Sequence, residues 1–244
     1  MELRVMTFNI RNGLAEDGPN GWEFRKHKTA ETIRQASPDV FGLQEVFDFQ
    51  LDYLVDQLSE YECYSIGRND GQTAGEHCSI LWRKGVFHRA DAGTFWFSDE
   101  PEAPGSMTWG NQITRICSWV DLAEGFRFLN VHLDHAHAES RRKSVDLLLN
   151  RLPTTPWILA GDFNAEPEWP EMKALSNSSK VELVTATNKI GTFHNFGGGI
   201  GGERIDHIVL PVGTDYRDTQ VIVSETEIPF PSDHYPVVST VKIS

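Results

Sequence analysis

The chain breaks its apolar runs at a narrow set of polar residues, and this limits the folds open to it more than any other feature. The stretch WILAGDFNAEPEW, Trp157 to Trp169, shows the pattern. Trp157 to Ala160 form an apolar run after Pro156, as a buried strand requires, and the run ends in Gly161, Asp162, Phe163 and Asn164. In an extended chain residues i and i+2 face the same side. Asp162 and Asn164 therefore project together from the strand's C-terminal end, where open α/β sheets tend to place their ligands. Taken alone, the stretch reads more readily as a turn, because Gly161 and Pro167 bracket two good turn formers. It does not stand alone. Asn9 follows VMTF, Glu45 follows VFGLQ, and His132, Asp134 and His135 follow FLNV. Asp206 and His207 follow ERI, and Asp233 and His234 precede YPVV. Each break has a plain explanation as a turn, a helix cap or a satisfied core histidine. Together they favour a site, since strands of one sheet converge in space.

Strand-like and helix-like segments interleave without a linker, repeat or shift of composition, which predicts a single domain over residues 1–244. Strands are expected over 3–10, 39–43, 63–66, 78–82, 86–97, 115–121, 126–132, the run into GDFN, 181–184, 204–210, 219–223 and 236–243. Helices are expected over 24–36, 47–58, 139–152 and, shorter, 168–175. In the first, Thr29 and Ile33 turn inward, and Arg25, Lys26, Lys28 and Arg34 outward. The second buries Leu51, Leu54, Val55 and Leu58, and the third Val145, Leu148, Leu149 and Leu152. Strands outnumber helices and only some are separated by them, so the pattern predicts an α/β (α+β) fold of sheets packed face to face with helices outside. The GGGIGG stretch at 197–202 has no strand-GxGxxG-helix context; it reads as a flexible rim of a site, not a dinucleotide fingerprint.

Charge narrows the partners. Twenty-two basic against 35 acidic residues give a formal net charge of −13, and the longest basic run is Arg141-Arg142-Lys143. Nonspecific binding of duplex DNA needs Lys and Arg to neutralise phosphates, so a small or end-bound phosphoester fits better. No apolar run is long enough to span a membrane, and the start lacks the basic and apolar segments of a signal peptide. Three cysteines with no CxxC pair argue against a disulfide framework. These features predict a cytoplasmic monomer that acts away from membranes.

Several carboxylates and a carboxamide without a thiolate make a hard-oxygen cation site, suited to Mg²⁺ with Mn²⁺ as substitute. Nearby histidines suit general acid or transition-state stabilising roles. A rival reading takes the HxDHxH cluster of His132, Asp134, His135 and His137 as a dizinc site of the metallo-β-lactamase kind, which uses HxHxDH. The order differs, and GDFN, the Gln-Glu pair and SDH would go unexplained. Candidate substrate contacts are Arg68, Trp109, Arg115, Arg141, Arg142, Phe193 and His194.

The segments TFNIRNG at 7–13, PDVFGLQEV at 38–46, NVHLDH at 130–135, GDFNAEP at 161–167, RIDHI at 204–208 and SDHYPV at 232–237 resemble the endonuclease/exonuclease/phosphatase (DNase I-like) superfamily. They follow the family order from Asn9 to His234 and look most like its small bacterial metal-dependent hydrolases. The resemblance implies a four-layered α/β sandwich with the site at one end of two mixed sheets. It implies Glu45 as principal Mg²⁺ ligand, Asn9 as a shaper of the metal and water network, and Asp233 as a further acid at the metal. Asp162 corresponds to the residue that orients or deprotonates the attacking water, and Asn164 to a phosphate donor. His234 corresponds to the transition-state histidine and Asp206 to its carboxylate partner. His132 stands near the leaving group, and His135 where relatives carry a phosphate-contacting asparagine. The expected activity is metal-dependent phosphoester hydrolysis, as a phosphodiesterase, nuclease or phosphatase. A non-catalytic binding module on the same scaffold would need a missing core residue, and none is missing.

Overall fold

The structure is a computed structural model that describes residues 1–223 and 228–243. The chain runs β1 (Glu2–Asn9), α1 (Trp22–Ala36), β2 (Val40–Val46), α2 (Asp48–Gln57), β3 (Tyr61–Tyr64), β4 (His77–Arg83), β5 (Arg89–Trp96) and β6 (Ile116–Leu122). It continues through β7 (Phe126–His132), α3 (Ala138–Arg151), β8 (Trp157–Asp162), α4 (Pro170–Ser176), β9 (Val181–Val184), β10 (Asp206–Pro211), β11 (Tyr216–Val221) and β12 (Val237–Lys242). The strands form two six-stranded sheets, ordered β11-β12-β1-β2-β4-β3 and β5-β6-β7-β8-β10-β9.

Each sheet has one parallel pair at its centre, β1 with β2 and β7 with β8, and antiparallel pairs around it. A parallel pair needs a crossover, which α1 and α3 supply. The inner faces meet in an apolar layer containing Val5, Val40, Ile80, Phe128, Ile158 and Ile208. Ile33 and Leu54 of α1 and α2 cover the first sheet from outside, and Val145, Leu148 and Met172 of α3 and α4 cover the second. The result is the expected four-layered sandwich. Among the described residues no helix is long and apolar enough to cross a membrane, and Cys63, Cys78 and Cys117 are free thiols.

The register of the parallel pairs places the site. Asn9 lies opposite Gln44, and His132 opposite Asp162, so both sheets end at the same rim. Just beneath, a buried amide network joins the sheets. Gln44 Nε2 donates to Thr7 Oγ1 at 3.0 Å and to Asn130 Oδ1 at 2.7 Å. Asn130 Nδ2 donates to the carbonyls of Leu43 and Ser79, each at 2.9 Å. The close approach depends on Gly42, where a Cβ would lie 2.6 Å from the Asn130 side chain. Gly42→Ala is therefore expected to destabilise the fold by about 1–3 kcal/mol. An unchanged denaturation midpoint would mean that the sheets have slack here.

Three expectations need correction. Arg25 does not face outward: it is fully buried, because its guanidinium donates to backbone carbonyls beneath α1. Val55 is exposed, since α2 packs mainly through Leu54, and Val55 sits about 100° further round the helix. The strand expected from residue 86 starts at Arg89, after a turn in which Gly85 takes a φ of +72° and Lys84 bridges Phe87.

Candidate active site

Asn9 ends β1, and its side-chain amide joins the two sheets. Asn9 Nδ2 donates to Glu45 Oε1 and to Asp162 Oδ2, each at 2.9 Å. Glu45 belongs to β2, where the register to β4 shifts between Leu43 and Val46. This irregularity and a φ of +60° at Glu45 re-aim its side chain. Arg11 and Asn164 also hold left-handed conformations, with φ of +60° and +48°. Such strain in non-glycine residues concentrates at functional sites. Glu45 Oε2 accepts from the Asn12 amide at 2.8 Å, and Asp162 Oδ1 from the Asn164 amide at 2.8 Å.

Asp162 is almost wholly buried. Burial first, and then the charge of Asp206, push its carboxyl up to about 7, against the pull of His234 and the bonds from Asn9 and Asn164. His234 stands on its other side. Burial alone would lower the imidazole, but Asp206, Asp233 and Asp162 outweigh it and carry the ring up to about 10. His234 Nδ1 donates to Asp206 Oδ2 at 2.8 Å, and its Nε2 lies 4.0 Å from Asp162 Oδ2. Among the described residues, the buried Asp206 Oδ1 has no hydrogen-bond partner. His132 is the opposite case: burial, followed by Arg115 and Arg68, drives its pKa well below the ordinary range and keeps it neutral. Its Nε2 lies 3.5 Å from Asp162 Oδ2. Asp233, also raised by burial, sits 3.6 Å from Arg11 Nε. Ser232 ties the two ends of the chain together, its Oγ donating to the Asn9 carbonyl at 2.7 Å.

Glu45, His132 and Asp162 offer ligand atoms all within 4.8 Å of one another. Asp162, Asp206 and His234 form a second such group, but there the Asp206–His234 hydrogen bond already occupies two of the three. At the first group a neutral amide is shared between two carboxylates and cannot offset their charge. Oxygen-rich donors with one neutral imidazole and no thiolate fit a hard divalent cation.

Residues 6–234 of this chain match the Endonuclease/Exonuclease/phosphatase family. The chain belongs to that family. An endonuclease/exonuclease/phosphatase of Bacteroides vulgatus superposes with a TM-score of 0.93 at 28% identity, covering 100% of both chains. A mannosyl-6-phosphatase of Bacteroides thetaiotaomicron superposes with a TM-score of 0.87 at 31% identity, over 99% of this chain and 100% of the other. A probable RNA exonuclease of Schizosaccharomyces pombe is 26% identical over an alignment 218 residues long, which covers 80% of this chain but 43% of that protein. The chain thus spans less than half the length of this curated relative.

In this family member the rim opens into a cleft of about 440 Å³. Glu45, Asp162, Asn164, Asp233, His234 and His132 line it, as do Arg68, Arg115 and His135. Arg68 Nη1 is bound to Glu76 Oε2 at 2.5 Å. Arg115 is buried, with Nη2 2.9 Å from His135 Nδ1 and Nε 3.9 Å from Asp134 Oδ2, while among the described residues its Nε and Nη1 have no hydrogen-bond partner.

Other candidates lie elsewhere. Trp109 is packed among core residues such as Phe97 and Leu133, and its indole donates to Asp99 Oδ1 at 2.8 Å. His194 stacks on Tyr235 with ring centroids 4.0 Å apart, away from the cleft. Its neighbour Phe193 lines the cleft instead and packs on His234 at 4.9 Å; adjacent residues of an extended chain face opposite ways. Arg141 is buried and engaged by Glu171 and by the Asp134 and His135 carbonyls, and Arg142 pairs on the surface with Glu139 and Asp146.

Arg11, Asn12, Glu76 and Glu203 also line the cleft and escaped the sequence reading. The first two lie inside TFNIRNG. Glu76 carried the same signal as the others, a charge against the apolar run CSILW, but at the strand's start. Because β4 runs antiparallel to β2, its start reaches the rim where β2 ends.

Proposed function

We propose that this chain is a divalent-metal-dependent hydrolase of small phosphoesters, in which an activated water attacks phosphorus in line. The supporting observation is the Asn9 amide bridging Glu45 and Asp162 beside the Asp206–His234 pair, with Glu45, Asp162 and His234 lining one cleft. Glu45, with Asn9 and Asp233 around it, would hold Mg²⁺ or Mn²⁺. The cation would supply positive charge for the phosphoryl oxygens when bound. Asp162, with a pKa pushed up to about 7, is matched to orient a water and accept its proton near neutral pH. Asn164 donates to the phosphoryl group, and the His234 imidazolium stabilises the charge that grows on it. His132, kept neutral, stands by the leaving oxygen. Arg115, whose Nε lies 3.9 Å from Asp134 Oδ2 and whose Nε and Nη1 have no hydrogen-bond partner among the described residues, binds the anionic substrate with Arg68 and His135 beside it.

The cleft's size, the net charge of −13 and the full-length likeness to a mannosyl-6-phosphatase favour a phosphomonoester on a small polar body, such as a sugar phosphate. The partial likeness to a probable RNA exonuclease favours a phosphodiester end as the second reading. Hydrolysis of a hexose 6-phosphate, an aryl phosphomonoester and an aryl phosphodiester, with Mg²⁺, Mn²⁺ or chelator, tests both. The expected result is turnover that the chelator abolishes and that is faster on the monoesters. Faster diester cleavage would move the assignment to the nuclease side. Turnover that only zinc restores would favour the dizinc reading, and absence of turnover with every metal would favour a binding module.

A further inference from the structure

We propose that Arg25 of α1, hidden from solvent, is a positioning residue that locks the first and last site loops together; the inference rests on the hydrolase reading above. Arg25 is 0% exposed. Its Nη1 donates to the Ile10 carbonyl at 2.6 Å and to the Pro231 carbonyl at 3.1 Å, and its Nη2 to the Arg11 carbonyl at 2.8 Å. One turn along the helix, Thr29 Oγ1 donates to the same Pro231 carbonyl at 2.6 Å. Trp22 supports the guanidinium from below, 5.1 Å from its ring centre.

The positions of these carbonyls give the contact its meaning. Ile10 and Arg11 directly follow Asn9, and Pro231 directly precedes Ser232, Asp233 and His234. A single side chain therefore holds together the backbone leaving β1 and the backbone entering its paired strand β12, segments more than 200 residues apart in sequence that both carry site residues. The Ser232–Asn9 bond joins the same two segments closer to the cleft.

The chemistry is costly in isolation. Among the described residues no carboxylate pairs with Arg25 within ion-pair distance, and burial pulls the guanidinium down to about 10. A buried charge without a counter-ion is retained where its hydrogen bonds fix something an apolar residue cannot. Here the carbonyls belong to irregular loops, and a methionine would leave them without these donors. The planar fork also sets a fixed angle between the loops, which the single ammonium of lysine does not reproduce.

The test compares wild type with Arg25→Lys, Arg25→Ala and Thr29→Val, the last removing the hydroxyl that donates to the Pro231 and Arg25 carbonyls and keeping the helix in case the arginine variants fail to fold. Steady-state kinetics are read beside hydrogen–deuterium exchange at residues 10–14 and 230–235. The proposal expects kcat to fall at least about tenfold in both arginine variants and about threefold in Thr29→Val, with KM shifted less than about threefold. Exchange should quicken at both loops together while α1 stays protected. Guanidinium chloride at low millimolar should restore part of the Arg25→Ala rate, and sodium chloride should not. Folded variants with kcat within twofold of wild type, or exchange unchanged at both loops, would overturn it. If wild type itself turns nothing over, the hydrolase reading fails, and the exchange arm still decides whether Arg25 locks the loops.

Discussion

Replacing Asp162 by asparagine should slow phosphoester hydrolysis by on the order of 10²- to 10⁴-fold, yet leave the cation-free protein at least as stable as wild type near pH 8. The two halves have one cause. The Asp162 carboxyl is buried next to Asp206, and its pKa rises from 3.8 to about 7. The folded protein therefore holds this proton more tightly than the unfolded chain. The contribution of Asp162 to stability must then decline as pH climbs from about 4 through 7, because its ionised form is disfavoured in the fold. Asparagine keeps an acceptor for the Asn164 amide, 2.8 Å away in wild type, but carries no charge. In chelator, the melting midpoint of the variant should exceed wild type most at pH 8, and the gap should close toward pH 4. Added Mg²⁺ should raise the wild-type midpoint more than the variant's, since binding to the folded state alone stabilises it. Hydrolysis kept within a few-fold would remove Asp162 from the chemistry. A variant less stable than wild type at pH 8 would mean that the bonds from Asn9 and Asn164 outweigh the burial of the charge.

The fold and the middle of the site were legible because both are written in short-range pattern. Apolar runs ending on Asp162, His132 and Glu45 declare strand ends, and parallel pairing at the centre of each sheet carries those ends to one rim. What stayed hidden depends on long-range placement. Arg25 carries the local pattern of a solvated helix face, and only the return of Pro231 over α1 makes it an interior residue. Glu76 carries a charge next to an apolar run, as Asp233 does, but which end of β4 meets the site depends on its antiparallel pairing with β2, which β4 does not encode by itself. Phe193 and His194 were offered together, although an extended chain can present only one of them to the cleft. Trp109 illustrates the reverse error. Its neighbourhood of Met107, Thr108 and Gly110 reads as loop, but the ring lies against the core shared with Phe97. Gly42 and Asn130 are a further case: each looks ordinary in its own strand, and the contact between them exists only when the sheets meet.

His234→Gln and Asp206→Asn should both be severely impaired near pH 9, but only His234→Gln should remain so at pH 6. His234 owes its charge to its neighbours: burial opposes the imidazolium, and Asp206 at 2.8 Å, with Asp233 and Asp162, holds it up to about 10. Glutamine carries no charge at any pH, so its loss, on the order of 10²- to 10⁴-fold, should not depend on pH. Asparagine at 206 leaves the ring in place and removes its strongest partner. The alkaline limb of kcat/KM should then move down from near 10 toward the ordinary 6.5. At pH 6 the ring is still protonated and most of the rate should survive. Stability follows the same titration. A histidine whose folded pKa is raised stabilises fully below about 6.5 and loses that contribution as pH rises toward 10. The midpoint difference between wild type and Asp206→Asn should therefore be largest near pH 6 and shrink above pH 9. An alkaline limb that does not move would assign the ring's charge to Asp162 and Asp233, and would leave Asp206 as a steric guide for the imidazole rather than the source of its basicity.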